Sequence, residues 1–375
     1  MSETSQQTAS DNTQSQFDSI EDALAAIQAG EMVVVVDDDD RENEGDLIMA
    51  ASKATAESVA FMIRHTSGIL CAPLFEDQAS ALHLDPMVAR NDAPMSTAFT
   101  VSIDYKHGLT TGISAEERAA TVQALTNSNV SAGDFVRPGH IFPLVARQGG
   151  TLVRSGHTEA GVDLSVLAGL PPVSLLAELV NDDGTVQRLP QLLEFAAEHK
   201  MKIITIADLI AYRQTREQLV ERQYEFSVET MIGEARGVAY RTKFEDAEHL
   251  ALVFGDISKM DAVPVRIHRE KLVDDVFGSQ SDHESNLISA ALSKIDKLGG
   301  GVVIYLRTGF VGVPNESLDE QSKEDERKSQ WLEVGVGAQI LRDLGLSKIK
   351  LIAGREVSYK GVGGFGLTLV STEIL

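Results

Sequence analysis

Cysteine is almost missing from this chain: among 375 residues the single thiol is Cys71. That excludes an intramolecular disulfide framework and any metal site built from several thiolates. Set in an apolar stretch, Cys71 itself reads as a small buried hydrophobe. Basic residues are also scarce, 33 Lys and Arg against 56 Asp and Glu, for a formal charge of −23. So deep a negative balance argues against nonspecific binding to nucleic acid or to an anionic membrane surface. Any bound phosphate must be gripped locally, against the overall field. No apolar run approaches the length of a membrane span. Residues 1–16, rich in Ser, Thr and Gln, lack the basic-then-apolar order of a secretion signal and read as a disordered tail. The expectation is a cytoplasmic protein with no nucleic-acid or membrane partner. Aromatic residues are few, at 5%, but hydrophobic residues reach 43%, enough for ordinary cores, and the length suits two domains.

Acid is what the chain has in excess, and it is concentrated. Asp37-Asp38-Asp39-Asp40-Arg41-Glu42-Asn43-Glu44-Gly45-Asp46 follows directly on Met32-Val33-Val34-Val35-Val36, a β-branched run that reads as a buried strand. Like charges this close repel, so such a cluster persists when something positive sits among them. A hard divalent cation, which takes carboxylate oxygens and keeps several waters, meets that need. Arg41 adds a fork of donors suited to an anionic substrate group such as a phosphate. Four consecutive Asp alone would read as a solvated loop. The Arg-Glu-x-Glu-Gly-Asp continuation, hard against a strand end, points to function, and poor order is expected around Asp38 to Asn43 without ligand.

Helical spacing runs over residues 17–30, 55–65 and 190–199, and Ser114 with Glu117 forms a capping box that opens a helix to about Ser128. Strands are expected at 68–73, 96–105, 151–153 and 202–206, while 47–52 is of mixed character. Polar clusters follow apolar runs at Arg137-Pro138-Gly139-His140, at Arg154-Ser155-Gly156-His157-Thr158 and at Glu178. Sheet ends of this kind are where α/β proteins gather their sites. Residues 214–224 form a charged connector, and the domain boundary falls there. Beyond it come strands at 263–267, 302–305 and 349–352, helices at 285–298 and 336–344, and a solvated polar loop at 314–328.

Arg41, Glu42, Glu44, Asp46, His140, Arg154, His157, Thr158 and Glu178 together supply carboxylates and imidazoles able to bind a divalent ion and move protons. Their arginines and the Ser-Gly-His-Thr turn could hold a phosphate. The run from Asp37 to Leu47 closely resembles the signature of 3,4-dihydroxy-2-butanone 4-phosphate synthase. So do Arg64-His65-Thr66-Ser67-Gly68-Ile69-Leu70-Cys71, Thr110-Thr111-Gly112, Arg137-Pro138-Gly139-His140, Gly156-His157-Thr158-Glu159-Ala160 and Asn181-Asp182-Asp183-Gly184. The resemblance covers 17–214, with the motifs in order. It implies an α/β (α+β) fold, a three-layer domain with a mixed twisted sheet. It also implies a homodimer that uses Mg, or Mn, to convert a small sugar phosphate, ribulose 5-phosphate, to 3,4-dihydroxy-2-butanone 4-phosphate and formate in riboflavin biosynthesis. Carried over by position, Glu42 and His157 are the implied metal residues. The implied substrate-binding positions are Arg41, Glu42, Asp46, Thr111, Arg154, Ser155, Gly156, His157, Thr158 and Glu178. His140 and Glu178 are the residues implied to be catalytic.

Val263-Pro264-Val265-Arg266-Ile267-His268, Asp275-Val276-Phe277-Gly278-Ser279, Gly335-Val336-Gly337-Ala338-Gln339 and Leu344-Gly345-Leu346-Ser347 resemble GTP cyclohydrolase II. The resemblance covers most of 225–375 and implies a second, smaller α/β domain of that type. The family's zinc cysteines fall on Lys271, Asp282 and Glu284, and His283 nearby does not restore a site. Its catalytic Asp and Arg fall on Gln330 and Leu332, and its nucleotide loop has become residues 307–312. The expectation is a domain without zinc or cyclohydrolase chemistry, with a structural or interaction role favoured over ligand sensing. The rival reading is a noncatalytic dimeric binding or regulatory protein throughout, derived from a bifunctional riboflavin enzyme. It leaves unexplained why the first part keeps every chemical position and the second loses nearly all of its own.

Overall fold

Four consecutive valines, buried on both faces, form the strand on which the first sheet is built. The structure, a computed structural model, describes residues 16–38, 41–242, 247–271, 275–276, 287–307, 335–354 and 365–375. Residues 1–15 of the expected tail, Asp39 and Asp40, the polar loop at 314–328, and Asp282, His283, Glu284, Gln330 and Leu332 lie outside the described residues, as do 277–279 and 308–312. The chain divides into two compact units, Met1–Tyr212 and Arg213–Leu375, each with its own seven-stranded sheet.

In the first unit β1 (Val33–Val36) pairs antiparallel with β2 (Gly45–Ala50) and parallel with β7 (Lys202–Thr205). The sheet continues from β2 through β6 (Ser174–Glu178), β3 (Cys71–Phe75) and β5 (Phe135–Ala146) to β4 (Ile103–Tyr105), and it is mixed, as expected. Val34, Val36, Leu47 and Met49 pack on one face against Val59 and Met62 of α2 (Ala56–His65), Val122 and Leu125 of α4 (Ala115–Leu125), and Leu192 and Phe195 of α6 (Leu189–His199). Alternation along a strand turns Val33, Val35 and Ile48 to the other face, where α5 (His157–Leu167) lies against β2, β3, β5 and β6. Helix, sheet and helix thus make three layers. Local signals end the helices, Gly30 and the Ser114–Glu117 box as expected and Ser19 in addition. Ser19 caps α1 (Ile20–Ala29) and Gly30 closes it in the left-handed region, and the Ser114–Glu117 capping box opens α4. Short α3 (Glu76–Ala81) and α7 (Ile206–Arg216) complete the helices of this part.

Several expectations are corrected, each for a tertiary reason. Residues 45–50 are a regular strand, β2, rather than a mixed segment; burial on both faces erases the two-residue alternation that would have marked it. Residues 151–153 are not a strand. Gly149 and Gly150 hold φ of 92° and 60°, and Asp163 of α5 accepts from the Thr151 N–H and hydroxyl at 2.8 and 2.6 Å, bending Gly150–Leu152 into a 3₁₀ turn. Of residues 96–105 only Ile103–Tyr105 form a strand; Phe99 makes one isolated bridge to Leu144. Arg137 to His140 lie inside the long strand β5 rather than beyond a strand end, with the Arg137 guanidinium tied to the Leu82 carbonyl at 2.6 Å. The charged connector at 214–224 is not a linker: α7 runs to Arg216 and β8 (Val220–Thr230) begins within it. Its charges are those of an edge strand, where they discourage pairing with other chains.

The second sheet runs in the order β14 (Thr368–Ile374), β13 (Lys348–Ala353), β11 (Val263–Arg269), β12 (Gly301–Leu306), β10 (Glu248–Phe254), β9 (Gly233–Thr242) and β8. Ala291, Leu292 and Ile295 of α8 (Leu287–Lys297) pack on Val303, Phe254 and Ile352. A further helix, α9 (Gly337–Asp343), lies against β12.

Candidate active site

Asp37, the residue after β1, folds the acidic run. Its buried carboxylate accepts the backbone N–H groups of Glu42 and Glu44 at 3.0 and 2.8 Å and Nη1 of Arg41 at 2.9 Å. Asn43 takes the left-handed φ of 55° that this reversal requires, and the Arg188 guanidinium donates to the Glu42 and Asn43 carbonyls. Arg41 in turn reaches Glu42 Oε2 at 2.5 Å. A second contribution comes from strand register: β2 and β6 place Asp46 directly opposite Glu178, which sets two carboxylates side by side across the ladder. Glu178 accepts a 2.6 Å hydrogen bond from the Ser67 hydroxyl.

The third contribution is the start of α5. Gly156 is its N-cap, and a Cβ there would lie 2.4 Å from Arg154 Nη1 and 2.8 Å from Glu159 Oε2, so only glycine lets the Arg154–Glu159 pair close at 2.8 Å. His157 and Thr158 occupy the first turn, so the expected Ser-Gly-His-Thr turn is a helix N-terminus with its free N–H groups. His157 Nε2 must donate to the Val35 carbonyl, 3.1 Å away, which turns Nδ1 toward Glu42 Oε2 at 3.6 Å.

Arg41, Glu42, Glu44, Asp46, Arg154, His157, Thr158 and Glu178 line one cavity of ≈ 100 Å³, with Cys71, Thr97, Phe99, Leu144 and Leu176. Its electrostatics follow from crowding. Burial, with the charges of Glu178, Glu42 and Glu44, pushes the Asp46 carboxyl up to about 7 despite the pull of His157. Burial also opposes ionisation of Glu42 and His157. It is outweighed at Glu42 by His157 and Arg41, which hold that carboxyl down at about 2. At His157 it is outweighed by Asp46, Glu42 and Asp37, which raise the imidazole to about 9. Glu44 is raised by its partial burial and by neighbouring acids. Cys71 is buried, as read from sequence, but at the cavity wall, and burial drives its thiol up.

His140 and Thr111 are not among the residues that line this cavity, nor are Ser155 and Gly156, which lie just before α5. His140 shares a face of β5 with Leu144 at the cavity wall, but four residues along a strand is about 13 Å. There it pairs with Asp104, Nδ1 to Oδ2 at 2.7 Å. The reading of the residues did not single out Asp37, Ser67 or Asp104. Asp37 was present in the acidic run, but nothing local distinguishes the Asp that turns inward. Asp37, Glu42 and His157 are, among the described residues, the group whose ligand atoms lie within 4.8 Å of one another. Since Asp37 already accepts three donors, Glu42 and His157, once an ion displaces the Nδ1 proton of its imidazole, are the pair with capacity for that ion. Waters and substrate oxygens can complete the shell of a hard cation.

The model of one protein family, 3,4-dihydroxy-2-butanone 4-phosphate synthase, matches residues 21–212, the unit that carries this cavity. The chain belongs to that family. A synthase of this family is a carbon–carbon lyase of riboflavin biosynthesis. A second model, GTP cyclohydrolase II, matches residues 221–373. A bifunctional riboflavin biosynthesis protein from Arabidopsis thaliana is 45% identical over 94% of this chain and 68% of its own length. Among solved structures, RibBX, a two domain 3,4-dihydroxy-2-butanone 4-phosphate synthase from A. baumannii, is 38% identical, with a TM-score of 0.79 over 95% of this synthase and 99% of its own chain. A 3,4-dihydroxy-2-butanone 4-phosphate synthase in complex with two magnesium ions is 44% identical, with a TM-score of 0.52 over 53% and 98% of the respective chains.

Proposed function

We propose that the first unit converts D-ribulose 5-phosphate to L-3,4-dihydroxy-2-butanone 4-phosphate and formate in a reaction that requires Mg²⁺ or Mn²⁺. The observation that carries this reading is the convergence of an anion grip, a cation pair and paired carboxylates on one cavity. Glu42 and His157 would hold the metal ion, which when bound supplies Lewis-acid polarisation of the substrate's ketone and hydroxyl oxygens. Arg41, Arg154 and the N–H groups at the start of α5 grip the phosphate, two guanidiniums and a helix N-terminus set against the net negative field. Held in one pose, the ketose presents its acidic C–H and hydroxyl protons to fixed groups. Asp46, its carboxyl pushed up to about 7 and so partly protonated near neutrality, can give a proton where Glu178 takes one, which suits enolisation and loss of water. Ser67 holds Glu178 in place for that exchange. Formate release from ribulose 5-phosphate, measured with Mg²⁺ and with EDTA, tests the reading. Metal-dependent formate supports it, and none from folded protein removes it in favour of a binding protein.

The enzyme is proposed to act as a cytoplasmic homodimer. Dimerisation would let the His140 and Thr111 region of one subunit face the cavity of the other. Coexpressing His140→Ala and Glu42→Ala chains should then restore activity in mixed dimers, and no recovery would refute sharing. For the second unit we propose a structural or interaction role without zinc or GTP hydrolysis. Lys271 stands where the cyclohydrolase resemblance expects a zinc cysteine, and the chain's one Cys is Cys71. One zinc per chain, or GTP turnover, would overturn this.

A further inference from the structure

We propose that Arg188 is a positioning residue that holds the segment around Glu42 in the shape that receives the metal ion. The inference rests on the reading of Glu42 and His157 as the residues that would hold that ion. The acidic loop is fixed from two directions. From the end of β1, Asp37 takes its amides: Oδ2 accepts the Glu42 N–H at 3.0 Å and Oδ1 the Glu44 N–H at 2.8 Å. From the start of α6, Arg188 takes its carbonyls: Nη1 donates to Glu42 O at 2.8 Å and to Asn43 O as well. Glu42 is therefore held at both its N–H and its C=O, and Asn43 keeps its left-handed φ of 55° between the two grips.

The chain delivers Arg188 to this place from the other half of the site. Glu178 ends β6, and the next residue, Leu179, donates its N–H to the Gly45 carbonyl at 2.9 Å. The chain then reverses: the Asn181 N–H meets the Thr185 carbonyl at 2.7 Å, and the Gln187 N–H returns to the Leu179 carbonyl at 3.0 Å. That leaves Arg188 as the N-cap of α6, beside the acidic loop. One turn further on, Leu192 lies against Gly45, where a Cβ would come within 2.5 Å of Leu192 Cδ1. The start of α6 thus meets the loop twice, through a guanidinium and through a leucine that only glycine admits. Stability is a poor explanation for the Arg188 contact. The residue is exposed and both bonds lie at the surface, where water could replace the donor at little cost. Water cannot tether the loop to α6. A fixed frame behind a metal ligand is what raises affinity for the ion, and here the same frame carries Glu178.

The test is Arg188→Met in the full-length enzyme, read by Mn²⁺ binding in electron paramagnetic resonance titrations as well as by turnover. The binding counted is the part that Glu42→Ala abolishes, since a chain of net charge −23 attracts cations elsewhere too. Expected is a Kd for Mn²⁺ raised about 10–100-fold with the thermal transition unchanged. Formate release should fall at low Mg²⁺ and return to within about 3-fold of the parent when the metal is saturating, which a general loss of structure would not allow. Arg188→Lys, which keeps a charged donor, should recover part of the affinity. Arg188→Gln, shorter and uncharged, stands in under the same criteria should the Met variant fail to fold. A variant Kd within about 2-fold of the parent, or a turnover loss that saturating metal leaves in place, would overturn this proposal alone. A parent enzyme with no Mn²⁺ binding that depends on Glu42 would overturn it together with the assignment of the ion to Glu42 and His157.

Discussion

Each unit has a carboxylate drawn in from solvent among polar neighbours, and the two are treated in opposite ways. In the first, Asp46 faces Glu178 across the ladder, its Oδ1 is buried without a partner among the described residues, and its carboxyl is pushed up to about 7 by burial and neighbouring acids. In the second, Asp275 accepts from His268 Nε2 at 2.9 Å, from the Lys271 N–H at 2.8 Å and from the Tyr305 hydroxyl at 2.7 Å. Its burial is outweighed by those donors, and its carboxyl is lowered. An unsatisfied acid among acids costs stability and persists where binding or catalysis repays it. A fully satisfied acid holds structure. That contrast accords with the proposal of a site in the first unit and a structural or interaction role for the second, since fold and function part readily.

The strongest test of the contrast is at Glu42 and His157. Replacing either by Ala should lower formate release by ~1,000-fold or more with circular dichroism unchanged, and unaltered turnover would break the comparison at its first side. Gly156→Ala comes next. The added Cβ meets Arg154 Nη1 and Glu159 Oε2, so the phosphate grip should loosen and kcat/KM fall by about 10–100-fold, mostly through KM. Ser67→Ala removes the hydroxyl on Glu178, and a kcat loss of about 3–10-fold, the worth of one hydrogen bond, is expected in steady-state assays. The smallest effect on chemistry belongs to Asp275→Ala: formate release should stay at the parent level while the thermal transition of the second unit drops. Stranding its donors should cost about 1–3 kcal/mol. The pH dependence has a defined sign. Because the folded carboxyl is lowered, the parent's stabilisation is full above the unfolded value of about 4 and is lost as pH falls through the folded one. The Ala variant should lack that acid-side loss in melts followed below pH 4. Loss of synthase activity in this variant would erase the distinction between the units.

Much of the first unit was legible because its signals are local. Gly30, Ser114 and Glu117 announce helix ends through their own backbone hydrogen bonds, and a β-branched run such as 33–36 suits a buried, pleated strand. What misled were segments whose conformation is set by distant partners. Residues 151–153 look like a strand until Asp163, twelve positions on, takes their N–H and hydroxyl. Residues 214–224 look like a connector because charge marks both linkers and edge strands.

The same division holds for the site. By itself the sequence determined which groups are available: the acids and Arg41 after β1, the imidazoles at 140 and 157, and the glycine that opens α5. Residue type and short spacing carry that information. Only the tertiary structure decided which Asp of the acidic run turns inward, that Asp46 stands opposite Glu178, and that His140 answers to Asp104. The last two depend on strand register and on contacts between segments far apart in the chain. Burial then sets the charge of each group, and burial belongs to the folded assembly rather than to any residue alone.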